Sequence, residues 1–194
     1  MIGYDFDKTI YKGDSSTHFF FYMVFTRPYL LLFAPYFLVV FALYGMKLVG
    51  KKKFKECMFF FVPWYHNIEK IVDKFWSKNA NKLVKWYVRQ KNTEEDVFVS
   101  ASLGFIIKPV LEMLNIKNYL ATNYNVKTGK IYGENCYGEA KVDEFKRVYP
   151  KAKLEAFYSD SLSDLPMMRL ADKAYLVKGE KVTEINTDDY PEEK

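Results

Sequence analysis

Two carboxylates, Asp5 and Asp7, stand two residues apart at the end of a short strand-like segment, Ile2 to Phe6. Groups so close repel one another unless a cation lies between them. Mg²⁺ suits the position, because it is hard, prefers oxygen ligands and takes few of them from protein. A carboxylate held in this way can attack phosphorus and carry the phosphoryl group as an aspartyl-phosphate. Its neighbour is then placed to protonate the leaving oxygen and later to deprotonate water. The plainer reading of Asp5-Phe6-Asp7-Lys8-Thr9 is a pair of surface aspartates at a turn, and the motif alone does not choose between the two.

Further along, Ser159-Asp160-Ser161-Leu162-Ser163-Asp164 follows a second strand-like segment, Leu154 to Tyr158. Asp160 could complete a metal site, and Asp164 could orient ligands or metal-bound water from behind it. Helix capping by Ser163 or Asp164 is the plainer role, and it is compatible with the other. Ser100 ends the segment Asp96 to Val99, where its hydroxyl and the backbone N–H of Ala101 could hold a phosphoryl oxygen. Lys141 could neutralise the charge spread over a transferring phosphoryl group. Singly, a serine or a lysine says little, since most are solvated.

The elements that must position these residues alternate. Strands are predicted at Ile2–Phe6, Asp96–Val99, Tyr119–Thr122, Leu154–Tyr158 and Lys173–Val177, the last of the chain. Helices are predicted at Phe105–Leu114, Asp143–Val148 and Asp164–Leu170, with a turn between two short strands at Thr128-Gly129-Lys130. Ile68 to Gln90 has the spacing of one amphipathic helix. This order predicts an α/β fold: a Rossmann-like, mainly parallel sheet with helices on both faces and an inserted helical cap. Each polar cluster then falls at the C-terminal edge of the sheet, where such folds bind ligands.

Composition narrows the class. The 194 residues suit one domain with an insertion, and 49% apolar residues supply a core. A net charge of +5 is too small to mark a nucleic-acid binder. Cys57 and Cys136 are too few for a disulfide framework and fit inert thiols in a reducing cytosol. No apolar stretch precedes the first motif, so no secretory leader is expected. His18 and His66 have no neighbours that suggest a metal site, and packing is the expected role of both. The polar, acidic tail from Asn186 to Lys194 is expected to fray.

Taken in order, the four clusters resemble the four motifs of the haloacid dehalogenase superfamily of phosphohydrolases. Asp5-Phe6-Asp7-Lys8-Thr9 is similar to the first, Val97-Phe98-Val99-Ser100 to the second, Lys141 to the third, and Ser159-Asp160 with Asp164 to the fourth. Ser100-Ala101-Ser102 and Tyr158-Ser159-Asp160-Ser161 resemble the phosphoserine-phosphatase-like branch. The resemblance implies a phosphatase with Asp5 as nucleophile and Asp7 as general acid and base. It implies Mg²⁺ held by Asp5, the Asp7 carbonyl and Asp160, and a phosphoryl group held by Ser100, Ala101 and Lys141. Thr9 and Asp164 would support these groups. Lys8 stands where the family often has glycine. Asp14 stands where phosphoserine phosphatases carry a glutamate that recognises the substrate amine, which makes it a candidate for substrate selection.

The resemblance divides the chain into a catalytic core, 1–14 and 95–194, and a cap, 15–94. The cap is aromatic, and Pro28 to Met46 contains no charge. That run approaches the length of a membrane span. Asp5 precedes it and Ser100 follows it, so a single crossing would separate the two halves of one site. The run therefore dips into one leaflet, lies in the interface, or is buried by the cap or a second copy in a homo-oligomer. Lys47, Lys51, Lys52, Lys53 and Lys55 follow it and would favour an anionic leaflet. Residues 19–64 are the expected membrane contact, with the protein on the cytoplasmic face. The layout is similar to that of the phosphatidylglycerophosphatase C family, which implies a lipid phosphate as substrate. A soluble phosphatase for a metabolite such as phosphoserine, and an inactive membrane-bound interaction protein, are the alternatives.

Overall fold

The computed structural model describes residues 1–91 and 94–190. Strand β1 (Ile2–Tyr4) is followed by five helices: α1 (Ser15–Thr26), α2 (Ala34–Gly45), α3 (Lys51–Met58), α4 (Ile68–Asn79) and α5 (Lys85–Gln90). Then come β2 (Asp96–Leu103), α6 (Gly104–Met113), β3 (Asn118–Thr122) and the hairpin β4 (Tyr124–Asn125) and β5 (Lys130–Ile131). The chain ends with α7 (Glu139–Val148), β6 (Leu154–Ser159), α8 (Leu165–Met168), β7 (Ala171–Lys178) and β8 (Lys181–Ile185).

Six strands form one sheet in the order β3-β2-β1-β6-β7-β8, parallel except for β8. Strand alternation divides its side chains between two cores. Val97 and Val99 face α7 and α8, whereas Phe98 faces α1, α4 and α6. The second core is continuous from the sheet into the inserted helices, and the Trp76 indole N–H donates to the Ile106 carbonyl at 2.6 Å within it. In β1, Gly3 is needed for close packing, because a Cβ there would lie 2.6 Å from the Phe157 ring.

Three expectations need correction. Ile68–Gln90 is not one helix. Leu83 pairs with Tyr11, and the Val84 N–H donates to the Ile10 carbonyl at 2.8 Å. Backbone pairing to the loop behind β1 thus outweighs helical periodicity there. Lys173–Val177 is not the last strand, since the turn at Gly179-Glu180 folds β8 back onto β7. Of the tail, Thr187–Asp189 forms a turn of 3₁₀ helix, and residues 191–194 lie outside the described residues.

The third correction concerns the lysines. Lys52 Nζ donates to the Gly133 carbonyl at 2.6 Å, and Lys55 Nζ to Ala101 O at 2.5 Å and Asn135 Oδ1 at 2.6 Å. Lys51 Nζ sits 3.0 Å from the centre of the Tyr137 ring. One side of α3 thus clasps the core loop between β5 and α7. Among the described residues, only Lys47 and Lys53 of the five lack such a contact. Pro28–Gly45 divides between Phe33 and Ala34 into a 3₁₀ segment and α2, with Pro35 in the first turn of α2, and only 17% of this stretch is buried. Cys57 and Cys136 are free thiols.

Candidate active site

The C-terminal ends of β1, β2 and β6 bring the clusters together. Asp5, Asp7, Ser100, Lys141, Asp160 and Asp164 line one open cleft of about 220 Å³, with Lys8, Asp14 and Ala101 at its walls. Thr9 is fully buried behind it. Every residue singled out for the site is therefore within or directly against this cleft.

Asp5 leaves β1 with its N–H bonded to the Tyr158 carbonyl at 2.8 Å, which locks the turn to β6. Its carboxylate accepts from Lys141 Nζ at 2.7 Å, and Thr9 Oγ1 lies 3.4 Å from its second oxygen. Thr9 also accepts the Asp160 N–H at 2.9 Å, and so couples the first and fourth motifs. Lys141 is 1% exposed and donates equally to Asp164 at 2.7 Å. Ser159 Oγ donates to the same Asp164 oxygen at 2.7 Å. Lys8 adopts φ +58°, the left-handed region, and its N–H donates to Gly13 O at 2.9 Å. A side chain costs about 1 kcal/mol in that region, which glycine occupies freely.

Asp7 is held differently. One oxygen accepts the Ser15 N–H at 2.8 Å and the other accepts the Ser102 hydroxyl. Ser15 and Ser102 are bonded to each other at 2.9 Å. Sequence reasoning does not single out Ser102, Ser15 and Ser159, whose hydrogen bonds hold Asp7 and Asp164. A signal for Ser102 exists: residues i and i+2 of a strand share a face, so Ser100 and Ser102 have to project together. Asp14 caps α1, accepting the Thr17 N–H at 2.6 Å, while standing at the cleft wall. His18 packs beside Tyr11, with Nδ1 2.7 Å from the phenol oxygen.

Asp5 and Asp164 share one buried ammonium, that of Lys141, with the carboxyl groups of Asp7 and Asp160 in the same cleft. Burial pushes the Asp5 carboxyl up to about 7; Lys141 opposes the shift, and Asp164 and Asp7 add to it. Burial likewise pushes Asp7 up to about 6, reinforced by Asp14 and opposed by the bonds from Ser102 and Ser15. Burial also raises Asp160, with Lys8 and Lys178 opposing. Burial works against the charge of Lys141, but Asp5 and Asp164 outweigh it and hold the ammonium above its ordinary range.

This excess of negative charge is what a cation would relieve, and the donors fit Mg²⁺. Among the described residues the Asp160 carboxylate accepts no hydrogen bond, and the available groups are all hard oxygens. No three His, Cys, Asp or Glu side chains stand ready as a metal cluster among the described residues. The set implied by the resemblance needs none, since it uses two carboxylates and the main-chain carbonyl of Asp7.

Comparison with known proteins bears on the family and the fold. A protein of Mycobacterium tuberculosis named a probable phosphatase is 36% identical over 93 residues, covering 44% of this chain and 32% of its own. The chain thus spans about a third of the length of the curated relatives it matches. A Bordetella pertussis protein of unknown function superposes with a TM-score of 0.73 at 18% identity, covering 90% of this chain and 87% of the other. A phosphoserine phosphohydrolase-like protein of Francisella tularensis superposes with a TM-score of 0.55 at 20% identity, covering 89% and 84%. Both likenesses bear on the fold. The family model described as haloacid dehalogenase-like hydrolase matches residues 2–169, and with the motifs meeting in one cleft, the chain belongs to that family.

Proposed function

We propose that this chain is a Mg²⁺-dependent phosphomonoesterase whose substrate is a lipid phosphate, such as phosphatidylglycerophosphate. The observation that carries the phosphatase reading is the buried Lys141 bridging Asp5 and Asp164 at the sheet edge, beside Asp7. Asp5 attacks phosphorus in line, and the bond to the leaving oxygen breaks as Asp7 gives that oxygen its proton. Asp7 then takes a proton from water, which attacks the aspartyl-phosphate, releases inorganic phosphate and restores Asp5. A carboxyl pushed up to about 6 suits both proton transfers near neutral pH. Lys141, the Ser100 hydroxyl and the Ala101 N–H hold the phosphoryl oxygens. Asp5, Asp160 and the Asp7 carbonyl would hold Mg²⁺, whose charge favours the ionised nucleophile and the transferring group.

The lipid reading is supported by Pro28–Gly45, apolar with a mean hydropathy of 1.8 and mostly uncovered. Leu32 and Leu38 are 81% and 70% exposed. A patch of this kind on a small protein marks a contact surface. We read 1–14 and 95–194 as the catalytic core and 15–94 as the part that chooses substrate and meets the bilayer. The test is phosphate release from phosphatidylglycerophosphate in mixed micelles against phosphoserine in the same buffer. Preference for the lipid is expected, and preference for phosphoserine would mean a soluble metabolite phosphatase selected through Asp14. Leu32→Glu is expected to weaken sedimentation with phosphatidylglycerol vesicles about tenfold or more. Undiminished binding would place the membrane contact elsewhere or nowhere.

The charge balance sets a further expectation. Raised carboxyl groups bind more protons folded than unfolded, so metal-free stability from Asp5 and Asp7 falls as pH rises from about 4 to about 7. Mg²⁺ relieves that loss. Millimolar MgCl₂ should raise the melting temperature by a few degrees at about pH 7.5 and by much less at about pH 5. Equal shifts at both values would dissociate the cation from these carboxylates.

A further inference from the structure

A second cavity lies against the catalytic cleft, and no step of the proposed reaction uses it. It encloses about 410 Å³ between α1, α2, α3 and the end of β2, within the range of small-molecule sites. Asp7, Asp14 and Ala101 line both spaces, so the two adjoin. Most of the remaining wall is hydrocarbon, contributed by Phe20, Phe21, Phe41, Phe54, Met58 and Phe59. Phe21 and Phe41 are each 48% exposed, so they belong both to this wall and to the outer apolar surface. The clasp from α3 to the core holds one side of the cavity in place.

We infer that this cavity is a hydrocarbon-chain site, occupied by the alkyl or acyl part of the phosphomonoester whose phosphate sits at Asp5. The inference rests on the phosphatase reading above and narrows its substrate. Asp7 is the group that meets the leaving oxygen, so whatever is esterified to the phosphate begins at Asp7. The cavity adjoining Asp7 is mostly apolar, with Lys51, Lys55, Ser16 and Ser102 also in its lining, and a chain filling it would remove aromatic surface from water. Its outer wall is part of the same uncovered face that the bilayer reading employs. A chain can therefore pass from the leaflet to the site without crossing water.

The test measures the affinity of butyl, octyl and dodecyl phosphate below their micelle concentrations, with phosphate release followed in parallel. Affinity is expected to rise about a hundredfold or more from butyl to dodecyl. Thr17 is an exposed residue of α1 whose side chain borders the cavity. Thr17→Trp should fill the space and reduce that gain to less than about fivefold. Thr17→Phe, a smaller plug, repeats the test should tryptophan prevent folding. No gain with chain length in the natural protein overturns the inference. So does a gain that survives the plug, because the chain then binds the outer face. Graded binding with no phosphate release from any ester would leave the cavity assignment standing and sink the phosphatase reading. Release with ungraded binding would do the reverse.

Discussion

Asp5→Asn is expected to lower phosphate release by about 10⁴-fold or more, with the fold intact. Asparagine is nearly isosteric and lacks the charge that attacks phosphorus. The substitution is mild structurally because the native carboxyl is already held at about 7 by burial. Near neutral pH, the neutral amide removes part of the repulsion from Asp7 and Asp164, and Lys141 keeps Asp164 as a partner. The melting temperature should therefore stay level or rise. Phosphate release by stopped assay and thermal unfolding on the same preparation check both halves. Turnover close to that of the natural protein would place the nucleophile elsewhere, and a lost fold with lost activity would leave Asp5 a structural residue only.

Lys141→Met should be strongly destabilising. Among the described residues the ammonium is the only cation touching Asp5 and Asp164, at 2.7 Å from each, and all three are buried. Removing one member of a buried ionic network typically costs about 3–5 kcal/mol, because the charges left behind are not solvated. The penalty should shrink at about pH 5, where the orphaned carboxyls can take protons. Adding Asp5→Asn to Lys141→Met should recover part of the loss, since one orphaned charge is gone. Urea unfolding of the two single variants and the double variant measures this. A loss below about 1 kcal/mol, or no recovery in the double variant, would show that the network is solvated in solution.

Much of this site is legible in the amino-acid sequence, for a physical reason. Parallel strands bring their C-terminal ends to one edge, so polar residues that follow apolar runs must meet there, as Asp5, Ser100 and Asp160 do. Lys141 is legible only through family resemblance, since nothing in its own surroundings distinguishes it from a solvated lysine. The lysines of α3 show the limit. Lys51, Lys52 and Lys55 look alike in a basic run, and only the loop at Gly133–Tyr137 decides that they turn inward. Leu83-Val84 escapes sequence reasoning similarly, because its backbone partners, Ile10 and Tyr11, lie far back in the chain. Local pattern describes a segment's own preference and is silent about the partner that overrides it.

Strand β1, which leads into Asp5, lies in the middle of the sheet yet precedes both of its partners in sequence. Ile2 pairs with Asp96 on one side and with Ala156 on the other. During synthesis β1 therefore precedes β2 and β6 and has no sheet partner until they follow. The aromatic residues of α1 and α4 leave the ribosome next, before α6, which shares their core, exists to cover them. Contacts this distant along the chain make folding slow and expose apolar surface for longer. Until α6 is made, the aromatic faces of α1 and α4 lack the partner that completes their core, and the cleft at the sheet edge cannot yet form.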